Sequence, residues 1–148
     1  MPTIDKRRKQ IEYYPFSMQI HPRFADLDFQ RHVNNVSIAS YYQESRVRFN
    51  RNVFQALYAE GEDQSLVRKV LADIGITYLA EVNYPEIVTI GVGVSRIGNS
   101  SFTLSAGMFQ LDQCVGISDA VLVFTNTKAT GAMPQLARDN LAGFRLDE

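Results

Sequence analysis

Two hydrophobic periods divide this chain. Phe16, Met18 and Ile20 are apolar and alternate with the polar Ser17, Gln19 and His21. That is the period of a strand buried on one face, and Pro22 marks an edge position or an irregularity near its end. Phe24 to Val33 mixes charges with few apolar anchors and reads as a loop. Ile38, Tyr42, Ser45, Phe49, Val53 and Leu57 then recur at steps of three or four, the stripe of an amphipathic helix. Asn34 or Asn35 is placed to cap its first turn and Gly61 to end it. More than about 20 residues at about 1.5 Å each make a rod close to 30 Å long.

Beyond the helix and an acidic loop the period returns to two. Val70, Ala72, Ile74, Ile76 and Tyr78 alternate, and Ile87 to Ile97 is rich in Val and Ile. Gly98-Asn99 supplies turn chemistry. Phe102, Leu104, Ala106 and Met108 alternate again, as do Val121 and Val123 within Ile117 to Thr127, after a short polar connection at Asp112 to Gly116. The order is strand, long helix, four strands. The pattern predicts one α+β domain over residues 15–130, with a basic leader at 1–14 and a tail at 131–148. One helix covers one face of one antiparallel sheet, so the apolar run Ile87 to Ile97 asks for further cover. A second copy that continues the sheet would provide it, which predicts a homodimer or a dimer of dimers.

Composition narrows the classes. The 148 residues are 45% hydrophobic and 21% charged, and a chain of this size buries roughly 70% of its unfolded surface without disulfides or a structural metal. Cys114 is the only cysteine, which excludes an intrachain disulfide, and no Cys/His cluster is spaced for zinc. The net charge of −1 offers no global attraction to nucleic acid or an anionic membrane. Lys6-Arg7-Arg8-Lys9 makes a local exception, read as a solvated leader before the first strand. No apolar segment follows it as in a secretory signal, and no stretch approaches the ~18 apolar residues of a membrane helix, so the expected location is cytoplasmic.

The chemistry is concentrated in Asp26-Leu27-Asp28-Phe29-Gln30-Arg31-His32-Val33-Asn34-Asn35, immediately before the helix. A loop ending at a helix N-terminus presents unpaired backbone N–H groups and the positive end of the helix dipole, which favour a developing oxyanion. A carboxylate beside them can serve as general base or nucleophile. These are the parts needed for acyl transfer or hydrolysis, although Asp, Asn and His are equally the residues of turns and caps.

That segment, followed by Tyr41-Tyr42-Gln43-Glu44-Ser45-Arg46, resembles the signature of hotdog-fold acyl thioesterases. It is similar to the 4-hydroxybenzoyl-CoA thioesterase family, and its His-Val-Asn-Asn run to plant-type acyl-ACP thioesterases. Weaker similarity extends through Ile76 to Val82 and the Ile97 to Phe102 turn. The resemblance implies a long helix wrapped by an antiparallel sheet of about five strands, and a thioester hydrolase acting on acyl-CoA or acyl carrier protein in fatty acid metabolism. It implies Asp28 as the catalytic acid, His32 as the residue that orients water or polarises the carbonyl, and Gln30 where the acyl-ACP enzymes use Asn. Glu81 matches a second catalytic acid, while Val82 stands where some relatives place a Cys nucleophile. Asn34, Asn35, Arg31 and Tyr42 are the expected substrate contacts. Arg31 replaces a Gly common in relatives, so it either blocks the approach that Gly allows or adds a phosphate contact. Asp26 is read as a structural turn acid, and Glu44 and Arg46 as polar contacts around the loop. The acyl chain is expected in an apolar tunnel lined by Tyr41, Tyr42 and Phe49. No metal or cofactor is implied, with CoA or phosphopantetheine present only as part of the substrate. A non-catalytic acyl-binding or scaffold protein is the alternative from another class, and acyl-thioester hydratase chemistry a third.

Overall fold

The computed structural model describes residues 3–59, 68–125 and 132–147. Its elements are β1 (Phe16–Ile20), α1 (Asn35–Ala59), β2 (Lys69–Tyr78), β3 (Val88–Ile97), β4 (Ser101–Gln110), β5 (Gln113–Phe124) and α2 (Gln135–Ala142). The strands form one antiparallel sheet in the order β1-β3-β4-β5-β2, and α1 lies across one face. β1 is an edge strand, as Pro22 foretold. Gly61, the acidic loop and the side chain of Leu57 lie outside the described residues.

The stripe on α1 fills the core. Ile38, Tyr42, Ser45, Phe49 and Val53 are all buried, and the Ser45 hydroxyl donates to the Tyr42 carbonyl 2.6 Å away, so a polar side chain is accommodated there. Facing them are Val88, Ile90, Val92 and Val94 of β3 with Phe102, Leu104 and Met108 of β4, alternate residues on one face of each strand. Twenty-five residues make α1 longer than the stripe required.

The other face of β3 and β4 is closed by the two ends of the chain. Gly91 and Gly107 let Tyr14 lie flat on the sheet; a Cβ on Gly91 would fall 2.7 Å from the Tyr14 side chain. Gly93 does the same for Leu146. Residues 144–146 run alongside Val94, which exchanges backbone hydrogen bonds with Phe144 and Leu146. The expected solvated leader is therefore corrected. Lys6–Lys9 and Ile11–Tyr13 form short 3-10 turns, and the Arg8 guanidinium reaches Asp119 at 2.9 Å and the Ser118 carbonyl at 3.2 Å. Tyr13 donates to the Asp147 carbonyl, tying one end of the chain to the other. The cover that the Val- and Ile-rich β3 demanded thus comes from α1 and the termini rather than from a second copy.

Two local expectations also change. The connection expected at Asp112 to Gly116 is a two-residue turn at Leu111-Asp112, with Gln110 paired to Gln113. Both turn residues are left-handed (φ 49° and 63°), a conformation Leu does not advertise. In β2 the register shifts between Leu71 and Asp73, so Leu71 rather than Ala72 lies opposite Leu122 of the inner face.

The junction between β1 and α1 is built on Asp26, which is 3% exposed. Its carboxylate accepts hydrogen bonds from the Arg23 backbone N–H, the Arg23 guanidinium and the Tyr41 hydroxyl. Its carbonyl accepts from the backbone and side-chain N–H groups of Asn34. Burial alone would push this carboxyl up; the hydrogen bonds from Arg23 and Tyr41 outweigh it and hold it at about 2.

Two predictions concern stability. Gly91→Ala drives a Cβ into Tyr14, so thermal melting should fall by about 2–4 °C for each of the roughly 1–3 kcal/mol that overpacking costs, and trypsin should cut the basic run faster. An unchanged melt and cleavage rate would show that Tyr14 is not seated on the sheet. For Asp26, a depressed folded pKa means stabilisation that is complete above the unfolded carboxyl range near 4 and is lost as pH falls towards about 2. Denaturant melts of wild type should show that loss, whereas Asp26→Asn should be about 3 kcal/mol less stable at neutral pH and lack this component.

Candidate functional site

Just before α1 the Leu27–Val33 bridge closes a tight loop, and Asp28 near its start holds it together. Asp28 donates its N–H to the His32 carbonyl and accepts the Arg31 N–H at its own carbonyl, both at 3.0 Å. Its Oδ1 accepts the Gln30 N–H at 2.9 Å and the His32 N–H at 3.4 Å. One carboxylate oxygen thus holds the loop, and Oδ2 has no hydrogen bond among the described residues. Arg31 takes φ 65°, the left-handed backbone that Gly would adopt there, and its side chain is exposed. The turn therefore forms with Arg at this position, and Arg31 lies outside the pocket lining.

Glu81 reaches the loop from the other end of the sheet. The Val115 carbonyl, at a bulge between β4 and β5, accepts from both Leu79 and Ala80 N–H groups, and Val82 accepts from Val33. This fixes residues 79–82 beside the loop, with the His32 Nε2 3.0 Å from the Glu81 carboxylate. The pair places the His32 proton on Nε2 and leaves Nδ1 able to accept one. Asp28, Gln30, His32, Asn35 and Glu81 line one pocket of about 350 Å³, together with Ile38, Tyr78 and the 79–82 segment. Asn35, the first residue of α1, brings the start of the helix into this lining.

The remaining expected contacts lie elsewhere. Asn34 caps α1, its Oδ1 accepting the Ser37 N–H at 2.8 Å, and it is absent from the pocket lining. Tyr42 is 1% exposed, with its hydroxyl against Gly116. The expected tunnel does not form around Tyr41 and Phe49: Tyr41 ends on Asp26, and Phe49 packs between the rings of Phe16 and Phe144 at 5.6 and 5.3 Å. Glu44 pairs with Arg48 rather than with the loop, and Arg46 has no polar partner among the described residues. Sequence reading missed Tyr78 as a lining residue, because its strand alternation marked it only as a core position. Among the described residues no group of three or more His, Cys, Asp or Glu is arranged to hold a metal, and no helix is long and apolar enough to cross a membrane.

Residues 22–141 match the family model of the thioesterase-like superfamily. Among solved structures, the PA5185 protein of Pseudomonas aeruginosa is 26% identical with a TM-score of 0.75, over 95% of this chain and 98% of that one. A thioesterase-superfamily protein of Jannaschia is 27% identical with a TM-score of 0.73, over 87% and 82% respectively. A thioesterase of Thermus thermophilus, complexed with coenzyme A and zinc, shares the fold at 24% identity with a TM-score of 0.76, over 90% of this chain and 96% of that one. No curated protein matched. The family match spans the Asp28 loop, the helix and strands β2 to β5 of this hotdog fold, and the chain belongs to the thioesterase-like superfamily.

Proposed function

We propose that this protein hydrolyses acyl-CoA thioesters, with Asp28 as general base or nucleophile. The observation that carries the reading is the convergence of Asp28, Gln30, His32 and Glu81 on one pocket at the start of α1. With Oδ1 held by the loop, Oδ2 is the atom free to take a proton from water or to attack the thioester carbonyl. The developing oxyanion would meet the side-chain amides of Gln30 and Asn35 and the backbone N–H of Asn35. His32, oriented by Glu81 through Nε2, holds the water by accepting from it at Nδ1. A thiolate leaves readily at neutral pH, so the site needs a base and an oxyanion pocket more than a strong acid. Arg31, exposed beside the mouth, is suited to a phosphate of CoA or phosphopantetheine. Coenzyme A bound in thioesterases of the same fold supports CoA as the carrier; an acyl carrier protein is the other carrier the pocket chemistry admits.

A second copy completes the molecule in this reading. The outer edge strand β2 carries Ile74 and Tyr78 at 38% and 49% exposure, with Val70 and Leu71 exposed beside them, and its outer backbone groups face away from β5. Pairing of β2 with β2 of the partner would cover that edge and bring each pocket, bordered by Tyr78, to the dimer seam.

Thiol release from a panel of acyl-CoA and acyl carrier protein thioesters tests the activity. Wild type should release thiol, and Asp28→Asn should be slower by about a hundredfold or more while melting normally, since its amide oxygen still accepts the Gln30 N–H. Equal turnover by the variant would remove Asp28 from the mechanism, and substrate binding without release by wild type would favour the non-catalytic alternative. In light scattering at micromolar concentration, wild type should have the mass of two chains and Ile74→Lys that of one. A monomeric wild type would overturn the pairing of β2.

A further inference from the structure

The tunnel expected between helix and sheet is closed by one residue. Ile38 of α1 and Tyr78 at the end of β2 both line the Asp28 pocket. Tyr42 lies one turn further along α1, on the same side of the helix as Ile38. Its hydroxyl reaches across to β5: a Cβ on Gly116 would fall 2.9 Å from that oxygen and 3.2 Å from the Thr77 carbonyl. Gly116 pairs with Tyr78, and the adjacent Val115 carbonyl holds Leu79 and Ala80, two further residues of the lining. Tyr42 therefore spans from helix to sheet directly behind the pocket.

The sheet behind Tyr42 carries small side chains. Gly116, Ser118 and Ala120 occupy alternate positions of β5, on one face, and Ala106 of β4 lies opposite Ser118. Gly116 gives the depth that the end of Tyr42 occupies. The Tyr42 hydroxyl is buried and makes no hydrogen bond among the described residues, so what Tyr42 supplies at this point is volume rather than polarity. Deeper along the helix stripe the core is filled too: Ser45 and Phe49 are fully buried, and Phe49 is clasped between Phe16 and Phe144. The space left at Asp28 is about 350 Å³, at the small end of ligand pockets. The thioester group and the attacking water must share it with the acyl group.

We infer that Tyr42 is the closed end of the acyl pocket and that the substrates are short-chain acyl thioesters, with acyl groups of about two to six carbons. The inference deepens the thioesterase reading above and rests on it. The acyl group enters beside Asp28, lies on Ile38, Val33 and Val82, and stops where the Tyr42 ring bridges α1 and β5. A longer chain has no room beyond that point unless the ring is displaced, and a close-packed interior resists such displacement. Tyr42 is thus a specificity-determining residue: a smaller side chain there opens the pocket onto the row of Gly116, Ser118 and Ala120.

A chain-length series of straight-chain acyl-CoA thioesters, from acetyl to decanoyl, tests this. In wild type kcat/KM should rise by about threefold to fourfold for each methylene the pocket can bury. It should then fall by about tenfold or more between hexanoyl-CoA and octanoyl-CoA, where a methylene meets the ring. Tyr42→Leu should move the maximum to octanoyl-CoA or beyond. Tyr42→Phe keeps the ring and should keep the wild-type profile, melting no lower because the lost hydroxyl had no partner. Calorimetric titration with the matching non-hydrolysable thioethers separates the inference from the activity. An affinity that breaks at the same length supports it even if no thiol is released, the result that would sink the hydrolase reading instead. Turnover and affinity that climb steadily to decanoyl in wild type would overturn it, whether or not Tyr42→Leu folds. If Ile74→Lys then removed that long-chain preference, the chain would belong to the seam between two copies. A folded Tyr42→Leu with an unshifted maximum would equally overturn the assignment of the limit to Tyr42.

Discussion

The buried carboxylate of Asp26 is the interaction on which the site depends. It joins three pieces of chain that hydrophobic burial alone would leave loosely related: the end of β1 through Arg23, the first turns of α1 through Tyr41, and the residue that caps α1 through the Asp26 carbonyl and Asn34. The Arg23 side chain is 77% exposed, so its charge is screened and its value lies mainly in geometry. Tyr41 supplies the dry contact. Because residues 26 and 34 are fastened to each other, the seven residues between them must close into a compact loop, and Asp28 sits near the beginning of it. Two acids separated by one residue therefore divide the labour: one is satisfied and structural, the other keeps an oxygen free.

The placement of α1 decides where the chemistry can extend. A helix centred on the sheet would cover both halves of its inner face. This one favours β1 and β3, and the outer face of β3 and β4 is sealed by the two chain ends over Gly91, Gly93 and Gly107. Leu71, Ile74 and Tyr78 are left exposed along β2, and Tyr78 borders the Asp28 pocket.

Local features were legible in the sequence, and features made by distant residues were not. The alternation of β1, the stripe on α1, the Asn34 cap and the Gly98-Asn99 turn each depend on residues within a few positions of one another, and the structure reproduces them. Asp28, Gln30 and His32 come together for the same reason. Glu81 entered only through the resemblance, since it is 49 positions from His32 in the sequence and is brought near by the Val115 bulge. The basic run looked solvated because nothing near it in sequence announces Asp119 or the glycines that make room for Tyr14. The turn at Leu111-Asp112 was hidden for a different reason: its left-handed residues are held by strand pairing on both sides, which overrides the preference of Leu.

Arg31 shows how such an override bears on function. A non-glycine residue in the left-handed region costs roughly 1–2 kcal/mol, and a loop of this size persists in that conformation only when its hydrogen bonds demand it. Here they do: the Arg31 N–H is committed to the Asp28 carbonyl, and the flanking N–H groups of Gln30 and His32 to the Asp28 carboxylate. The backbone is thus the one a glycine would give, and the side chain is added on the solvent side without altering it. The geometry of the Asp28 carboxylate is therefore kept with an exposed arginine at this point.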